Sequence, residues 1–351
     1  MIAAAIQCFA TPFAAEHNWA TAERLARQAA AQGARVIVLP ELFNTGYAYS
    51  PRLTTGAEPP DGPTVCRLLA LAAELDAWLG GTLLLRDGGE VFNTFVLAGP
   101  KGELHRYAKR HPFLWEGCYF AAGHASLVVE TDLGRLGLMI CWDLAHPRAW
   151  ADYAGRVDAI LLASSPPRLH RAVLNFPRGR KVYAAQLLPA LVRERDSLDA
   201  LYGDYVGQCA AALGVPVIHA VMAGRFVAQL PLARLSFLGF AAFQPRYWSW
   251  TAEAHLASLR ATFYGTTAIY DSAGTVVSRA DSDEGLALAD LPLPARPASA
   301  RPVPPPRLPA ALRLFESLLR PLARRAYNRA VDNMKSDGGR RRLAKDERRD
   351  T

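Results

Sequence analysis

The chain has 351 residues, 51% of them hydrophobic, and a formal net charge of +8 at pH 7. This length allows one large domain or two ordinary ones, and the apolar content is enough for a substantial core. The excess charge lies in residues 301–351, which carry 14 basic and 6 acidic side chains, whereas the first 300 residues carry 26 of each sign. The basic balance therefore belongs to the tail and indicates nothing about the partners of the body.

The cysteine content and the N-terminus argue against a secreted protein. Five cysteines, an odd number without a repeated spacing, disfavour a disulfide framework and a zinc site. The first residues lack the basic leader and long apolar region of a signal peptide, and no stretch is apolar enough for a convincing membrane span. We therefore expect a cytoplasmic protein.

The N-terminal pattern predicts a parallel crossover that ends at a glutamate. Apolar residues predict a strand over 2–9, a helix over 18–32 and a second strand over 36–39. A strand, a helix and a strand in this order imply a right-handed parallel connection. Glu41 follows the second strand. Most glutamates are exposed, but the preceding apolar residues and the lack of a basic neighbour in sequence favour a buried carboxylate here.

The next segment predicts an antiparallel hairpin that ends at a lysine. The pattern predicts a helix over 63–77 and strands over 79–85, 91–97 and 103–107. Tight Asp-Gly-Gly and Pro-Lys-Gly turns separate these strands, which is typical of antiparallel pairing. Lys109 follows the last strand, and Glu116 lies seven positions further along. By itself, a lysine near glutamates is most often a solvated surface pair.

A cysteine follows the buried strand that the pattern predicts over 136–140. Glycine precedes this short apolar run, and Cys-Trp-Asp at 141–143 follows it where the chain turns towards a helix. Reactive groups of α/β proteins commonly lie at the carboxyl ends of strands. Most free cysteines are small core residues, so Cys141 becomes a candidate nucleophile only in combination with Glu41 and Lys109.

The remainder of the body alternates strands and helices. The pattern predicts a helix over 147–153, strands over 157–163, 215–221 and 286–291, two strands within 263–277, and a helical region after an irregular stretch over 168–182. Nothing recurs at a fixed period, so the sequence does not indicate a repeat architecture.

Several short motifs carry the candidate site residues in a fixed order. They are Pro-Glu-Leu-Phe-Asn-Thr-Gly-Tyr at 40–47, Lys109, Glu116 with Phe120 and Gly123, and Cys-Trp-Asp at 141–143, with supporting matches at 92–94 and 264–274. This set resembles the nitrilase, or carbon–nitrogen hydrolase, superfamily. The resemblance implies an α/β fold over residues 1–292, a four-layer α-β-β-α sandwich of two mixed sheets flanked by helices. It also implies a homodimer or larger homo-oligomer.

The resemblance further implies a Glu-Lys-Cys triad, carried here by Glu41, Lys109 and Cys141, with Glu116 as a supporting second glutamate. A thiol at its free pKa is only slightly ionised near neutral pH, so it needs a base or a cation beside it. Glu41 would take the thiol proton and pass it to the leaving amine, while Lys109 would stabilise the tetrahedral oxyanion. Glu116 would hold Lys109 in place.

The predicted reaction is hydrolysis of a non-peptide amide or carbamoyl C–N bond through a cysteine thioester, without a metal or an organic cofactor. Trp142 and Tyr47 are predicted to lie beside the substrate, with the backbone N–H of Trp142 at the oxyanion. Nitrile hydrolysis and acyl transfer by the same triad stay open, as does a non-catalytic assembly or binding module. Cys-Trp-Asp resembles amide and carbamoyl hydrolases more than the Cys-Trp-Glu pattern of nitrilases.

A thiol activated by histidine is a rival mechanism. His111, His146 and His170 are the candidates on either side of Cys141 in sequence, and we expect His146 to shape the pocket instead. Arg148 stands where many superfamily members carry a glutamate. It is either an anchor for a substrate anion or, in the interpretation we favour, a helix-surface arginine.

Two segments, 168–201 and 223–259, are longer than the family core requires. The second is rich in aromatic and leucine residues, which is typical of a core or of an interface between subunits. We favour that interpretation over a cover on an apolar substrate or a surface that contacts lipid.

The tail is predicted to have three parts. Residues 293–309 are proline-rich and predict an extended linker. Residues 310–334 predict a basic amphipathic helix, kinked at Pro321, which either docks on the body or a partner subunit or lies on an anionic membrane surface. Residues 335–351 are charged and predict disorder. We expect no nucleic-acid binding, because this basic run belongs to no recognised fold.

Overall fold

A computed structural model gives the fold of residues 1–187, 195–242, 244–280, 284–292 and 301–346. Within these ranges the strands are β1 Ile2–Gln7, β2 Val36–Val38, β3 Trp78–Asp87, β4 Glu90–Ala98, β5 Leu104–Ala108, β6 Val128–Thr131, β7 Gly134–Ile140, β8 Ala159–Ser164, β9 Val173–Asn175, β10 Lys181–Tyr183, β11 Val217–Val221, β12 Arg225–Gln229, β13 Ser258–Thr262, β14 Ala268–Tyr270, β15 Val276–Arg279 and β16 Gly285–Asp290. The α-helices of the same ranges are Ala15–Ala31, Arg52–Thr55, Pro63–Leu75, Pro147–Ala151, Ala184–Leu187, Arg195–Leu201, Asp204–Leu213, Ala233–Phe240 and Ala310–Asp346. The 3-10 helices are Leu114–Cys118, Cys141–Ala145, Leu169–Arg171, Pro177–Gly179 and Pro245–Leu256.

Two large mixed sheets form the centre of the described structure. The first has the strand order β16-β1-β2-β3-β4-β5, and the second has the order β15-β14-β11-β8-β7-β6. β1 and β2 are parallel, with Ala4 opposite Ile37, which confirms the crossover predicted through the first helix. β3, β4 and β5 pair antiparallel, as the hairpin pattern predicts.

Alternating side chains divide the core into layers. Ala3 and Ala5 of β1 face the core that both sheets share, whereas Ala4 and Ile6 pack under the two long N-terminal helices. On the second sheet, the helix Asp204–Leu213 packs against β11 and β14. The predicted four-layer α-β-β-α sandwich is thus confirmed.

The two long segments fold together into a third, smaller sheet of order β10-β9-β13-β12. β9 pairs with β13, so that Leu174 lies opposite Leu259. The sequence pattern predicts an irregular stretch over 168–182, but this stretch forms β9, β10 and two short 3-10 helices. Strands of three residues are too short to show a period, and β9 is stabilised by a partner far along the chain.

The C-terminal helix Ala310–Asp346 docks on the body of the protein. Its apolar side faces the 3-10 helix Leu114–Cys118, and the backbone N–H of Val91 donates to the Tyr327 hydroxyl at 2.8 Å. Its buried side chains include Leu312, Leu319, Ala323, Tyr327 and Val331. This contact, rather than a membrane surface, occupies most of the predicted apolar stripe.

The boundaries of the tail differ from the sequence prediction. The helix continues past residue 335 to Asp346, where disorder is predicted, because a helix held by packing extends through polar residues at little cost. Residues 301–309 form neither helix nor strand, and Arg301 N–H donates to the carbonyl oxygen of Ala212 at 2.7 Å. The rest of the predicted linker, 293–300, and residues 347–351 lie outside the described residues. In the described part of the chain, no helix combines the length and apolar character needed to cross a bilayer.

Candidate active site

Strand ends bring three of the predicted site residues together. Glu41 follows β2, Lys109 directly follows β5, and Cys141 directly follows β7. All three side chains are buried, and those of Glu41 and Lys109 have no solvent exposure. Carboxyl ends of strands are the common location of functional groups in α/β folds. Each of the three residues thus follows a strand of the structure, and their roles in catalysis stay a prediction.

A buried ion-pair network surrounds Lys109. Lys109 Nζ lies 2.8 Å from Glu41 Oε1 and 2.7 Å from Glu116 Oε2. Glu41 also accepts hydrogen bonds from Asn93 Nδ2 and from the backbone N–H of Ser165, both at 2.8 Å. Lys109 thus lies between two carboxylates, and Glu41 also accepts from neutral donors, so the cost of burying these polar groups is offset by their partners.

Glu116 is fixed by the 3-10 helix Leu114–Cys118 and by two further donors. The Tyr47 hydroxyl and the backbone N–H of Phe113 each donate to its carboxylate at 2.6 Å. Burial raises the pKa of Glu116 to about 7, although the neighbouring Lys109 lowers it. Burial alone lowers the pKa of Lys109, but the carboxylates of Glu116 and Glu41 outweigh it, so this pKa lies well above its ordinary value. Lys109 is therefore an ammonium at neutral pH.

Cys141 occupies a strained turn between β7 and a 3-10 helix. Its φ is +45°, a left-handed conformation that costs a residue with a side chain about 1–3 kcal/mol. Asp143 holds the turn, because its buried carboxylate accepts from the backbone N–H of Ile140 at 3.2 Å, the backbone N–H of His111 at 2.9 Å and the Tyr107 hydroxyl at 2.8 Å. This network explains the aspartate of the Cys-Trp-Asp motif.

The Cys141 thiol is protonated at rest. Burial and the negative charge of Glu41 raise its pKa well above the ordinary value, and Lys109 acts in the opposite direction. The Tyr202 hydroxyl lies 3.7 Å from Cys141 Sγ. A protonated thiol beside a carboxylate is the arrangement in which a base removes the proton as the sulfur attacks.

Tyr47 and Trp142 both line a cavity beside Cys141. The Tyr47 hydroxyl contacts Glu116, as given above. The Trp142 indole packs on Phe113, with ring centroids 4.3 Å apart, and its Nε1 donates to Glu316 Oε1 at 3.1 Å. The C-terminal helix therefore contacts the residue next to the thiol.

Two histidines of the rival mechanism, His111 and His146, contact Asp143 and each other. His111 Nδ1 lies 2.9 Å from Asp143 Oδ1, and its ring stacks on His146 with centroids 3.7 Å apart. Burial and the neighbouring His111 lower the pKa of His146 to about 4. His170 lines the cavity. Arg148 is exposed on the helix Pro147–Ala151, as the favoured interpretation predicts. Among the described residues, no group of three or more His, Cys, Asp or Glu side chains is placed to hold a metal ion.

Sequence reasoning did not assign roles to Asn93, Ser165, Tyr202 or Asp143. Asn93 and Ser165 are polar residues in or beside apolar strands and are buried, and that contrast was a usable signal. Tyr202 follows the helix Arg195–Leu201, and nothing in its local sequence indicates that it approaches Cys141.

The four-layer fold, with a buried thiol, an ammonium and carboxylates at its strand ends, places this protein in the nitrilase superfamily. Within that class, the chain belongs to the carbon-nitrogen hydrolase family, whose sequence profile matches residues 2–298.

Named relatives include both nitrilases and amidases. A nitrilase from Pyrococcus abyssi is 34% identical over 198 residues, which cover 55% of this chain and 70% of that protein. Omega-amidase YafV from Escherichia coli is 30% identical over 167 residues, which cover 47% of this chain but only 60% of that protein. The crystal structure of an amidase from Nesterenkonia sp. superposes with a TM-score of 0.61 at 20% identity, covering 83% of this chain and 90% of that one. At 20% identity, the likeness to the Nesterenkonia amidase shows a shared fold alone.

Proposed function

We propose that this protein hydrolyses a non-peptide amide or carbamoyl C–N bond through a thioester on Cys141. The observation that carries the proposal is the buried ammonium of Lys109, which lies between the carboxylates of Glu41 and Glu116. Its positive charge acts to lower the pKa of the Cys141 thiol. Family membership supports the same class of reaction. These four residues, Glu41, Lys109, Glu116 and Cys141, form the Glu–Lys–Cys cluster.

In the first half-reaction, Cys141 Sγ attacks the amide carbonyl carbon while Glu41 takes the thiol proton. An ammonium has three N–H donors, so the two carboxylates on Lys109 leave one donor for the tetrahedral oxyanion. The backbone N–H of Trp142, at the start of the 3-10 helix, is the proposed second donor. Glu41 then gives its proton to the nitrogen, the C–N bond breaks, and ammonia or an amine leaves.

In the second half-reaction, water attacks the thioester carbonyl and Glu41 takes a proton from it. The tetrahedral intermediate collapses, the C–S bond breaks, and the sulfur regains a proton. The product is a carboxylic acid. The arrangement supports one carboxylate acting as base and then as acid, because Asn93 and Ser165 hold Glu41 in one orientation throughout.

A nitrile is the second candidate substrate, because a relative at 34% identity is named a nitrilase. Attack on a nitrile forms a thioimidate first, and one water then releases ammonia before a second water releases the acid. The same cluster could perform both routes. The Cys-Trp-Asp motif resembles amide hydrolases, so we expect amides to react faster.

The setting proposed for this activity is a homo-oligomer in the cytoplasm. All five cysteines are free, which supports a reducing compartment. Oligomerisation rests on the resemblance to the superfamily, and light scattering on the purified protein would measure it.

Ammonia release from matched panels of amides, carbamoyl compounds and nitriles tests the proposal. We expect release from at least one amide or carbamoyl compound, at a rate above that of the corresponding nitrile. Faster release from the nitrile would favour the second candidate. No release from any panel member, by a folded protein that also forms no adduct on Cys141, would contradict the proposed function.

A further inference from the structure

The cavity beside Cys141 is almost entirely apolar. It has a volume of about 370 Å³, near the lower limit for small-molecule pockets. Among the described residues that line it, there is no aspartate, glutamate, lysine, arginine, asparagine, glutamine, serine or threonine. Leucine, alanine, proline and aromatic side chains supply nearly all of the lining. Against these described side chains, a carboxylate on a substrate would lose its hydration without gaining a lysine or arginine partner.

One wall of this cavity comes from additions to the central sandwich. Leu174 and Leu259 belong to the third sheet, Phe240 belongs to the helix Ala233–Phe240, and Phe315 and Leu318 belong to the C-terminal helix. These five residues are called the apolar wall. The C-terminal helix lies beyond residue 298, where the match to the family profile ends.

The C-terminal part of the apolar wall is held firmly. The Phe315 ring lies 4.9 Å from Phe240 and 6.1 Å from Trp115 between centroids. The next residue, Glu316, accepts the hydrogen bond from Trp142, which follows the nucleophile in the chain. The C-terminal helix thus contacts the cavity lining through Phe315 and the residue after Cys141 through Glu316.

The cavity opens beside this helix. Leu314 and Leu318 both line the cavity, yet each is 62% exposed. Solvent therefore reaches the cavity along these two leucines. A chain longer than the cavity can leave through this opening without rearrangement of the wall.

We propose that the substrate carries its amide on an extended apolar group, an alkyl or arylalkyl chain that lies along the apolar wall and points to the opening beside Leu314. The inference rests on the proposed function for its reacting bond and on the cavity for the remainder of the molecule. Each buried methylene contributes about fourfold to kcat/KM. A terminal carboxylate in the same place reduces kcat/KM, because the described lining holds no lysine or arginine.

A chain-length series of primary amides tests this inference. Acetamide, butyramide, hexanamide and octanamide are compared with 6-amino-6-oxohexanoate, which replaces the terminal methyl group of hexanamide by a carboxylate. We expect kcat/KM to rise roughly 250-fold from acetamide to hexanamide, and to be at least tenfold lower for the carboxylate analogue. A flat or falling series, or equal rates for hexanamide and its carboxylate analogue, overturns the inference and leaves the proposed function intact.

A matched pair of variants locates the effect in the wall. Leu318→Glu places a charge at the apolar wall, and Leu256→Glu places one at a leucine that is 57% exposed and lies outside the lining. We expect the ratio of octanamide to acetamide kcat/KM to fall at least tenfold in Leu318→Glu and to stay at the wild-type value in Leu256→Glu. An unchanged ratio in Leu318→Glu overturns the role of the wall.

Binding to Cys141→Ala separates this inference from the proposed reaction. Calorimetry with octanamide and with 6-amino-6-oxohexanoate measures recognition without turnover. Tighter binding of octanamide supports the inference even if the wild-type protein releases no ammonia, a result that counts against the reaction alone. Tighter binding of the carboxylate analogue overturns the inference, whatever the activity.

Discussion

The Glu–Lys–Cys cluster and the apolar wall meet at one cavity but differ in origin and in chemistry. Glu41, Lys109 and Cys141 of the cluster follow strands of the two large sheets, and Glu116 lies on the 3-10 helix Leu114–Cys118. All four are inside the region that the family profile matches, and the two carboxylates lie 2.7 and 2.8 Å from the ammonium. The wall comes from the third sheet and from helices, one of them beyond that region. In the function proposed here, the central sandwich supplies the reacting groups, and the additions supply the shape that selects a substrate. Changes in the cluster should slow every substrate, and changes in the wall should alter the choice among substrates.

Removal of the nucleophile should have the largest effect. Cys141→Ala is expected to lower kcat by 10⁴-fold or more for every substrate, because no other group can form the thioester. Ammonia release measures this loss. Cys209→Ala, at a buried thiol on the helix Asp204–Leu213, is the control and should retain full activity. Ammonia release by Cys141→Ala at the wild-type rate would contradict a role of the cluster in the reaction.

Loss of the ammonium should affect both rate and stability. Lys109→Met leaves two buried carboxylates without their cation and removes an oxyanion donor. We expect a decrease of about 10³-fold in kcat and of about 3–5 kcal/mol in the free energy of unfolding. Urea denaturation and steady-state kinetics measure the two effects. Lys101→Met, at an exposed turn, should change neither quantity.

The buried Glu116 should make stability depend on pH. Its folded pKa is raised from 4.5 to about 7, so the folded protein binds the proton more tightly than the unfolded chain. The contribution of Glu116 is therefore fully present below pH 4.5 and is lost as the pH rises to about 7. We expect the unfolding free energy of the wild type, relative to Glu116→Gln, to fall by up to about 3 kcal/mol across this window.

Denaturant titrations between pH 4 and 8 measure this difference. Glu130→Gln, at an exposed position on β6, is the control and should follow the wild-type curve. A wild-type stability that rises relative to Glu116→Gln over the same window would show that the carboxylate is ionised more easily in the folded protein.

The hydroxyl of Tyr47 should contribute less. Tyr47→Phe removes a donor from the Glu116 carboxylate, and we expect about tenfold lower kcat/KM with a stability loss of about 2 kcal/mol. Tyr205→Phe removes a buried hydroxyl that donates to Pro304 at 2.8 Å, outside the site. It should lose stability but retain kcat/KM, which separates the two roles. A similar loss of kcat/KM in both variants would refute the specific role of Tyr47.

The contact between the C-terminal helix and Trp142 should have the smallest effect. Glu316→Ala removes the acceptor for Trp142 Nε1, and we expect about two- to threefold lower kcat/KM and about 1 kcal/mol lower stability. Glu316→Gln keeps an acceptor oxygen and should restore both values. If Glu316→Gln behaves like Glu316→Ala, the charge of Glu316 matters rather than its hydrogen bond.

The positions of Glu41, Lys109 and Cys141 could be inferred from the sequence because each follows a predicted strand. Strand ends converge by the geometry of parallel and hairpin connections. The resemblance to the superfamily then implies the role of each residue. The anchoring of the turn by Asp143 could not be derived in the same way, because its partners come from β5 and β7.

The wall could not be predicted because its contacts are nonlocal. β9 has three residues, and its pairing with β13 depends on chain segments far apart in sequence. The aromatic residues of 223–259 indicate burial but do not identify the surface that buries them. The sequence pattern is therefore the same for a core segment and for a cover on a substrate. The apolar stripe of the last helix likewise predicted a helix without identifying its contact with Leu114–Cys118.

Intact-mass spectrometry of the protein, acid-quenched during turnover of an amide, tests the central claim most directly. We expect an added mass equal to the acyl group less the thiol hydrogen that it replaces, located on the peptide that contains Cys141 and absent from Cys141→Ala. Steady turnover with no covalent adduct, or an adduct that persists in Cys141→Ala, would contradict it.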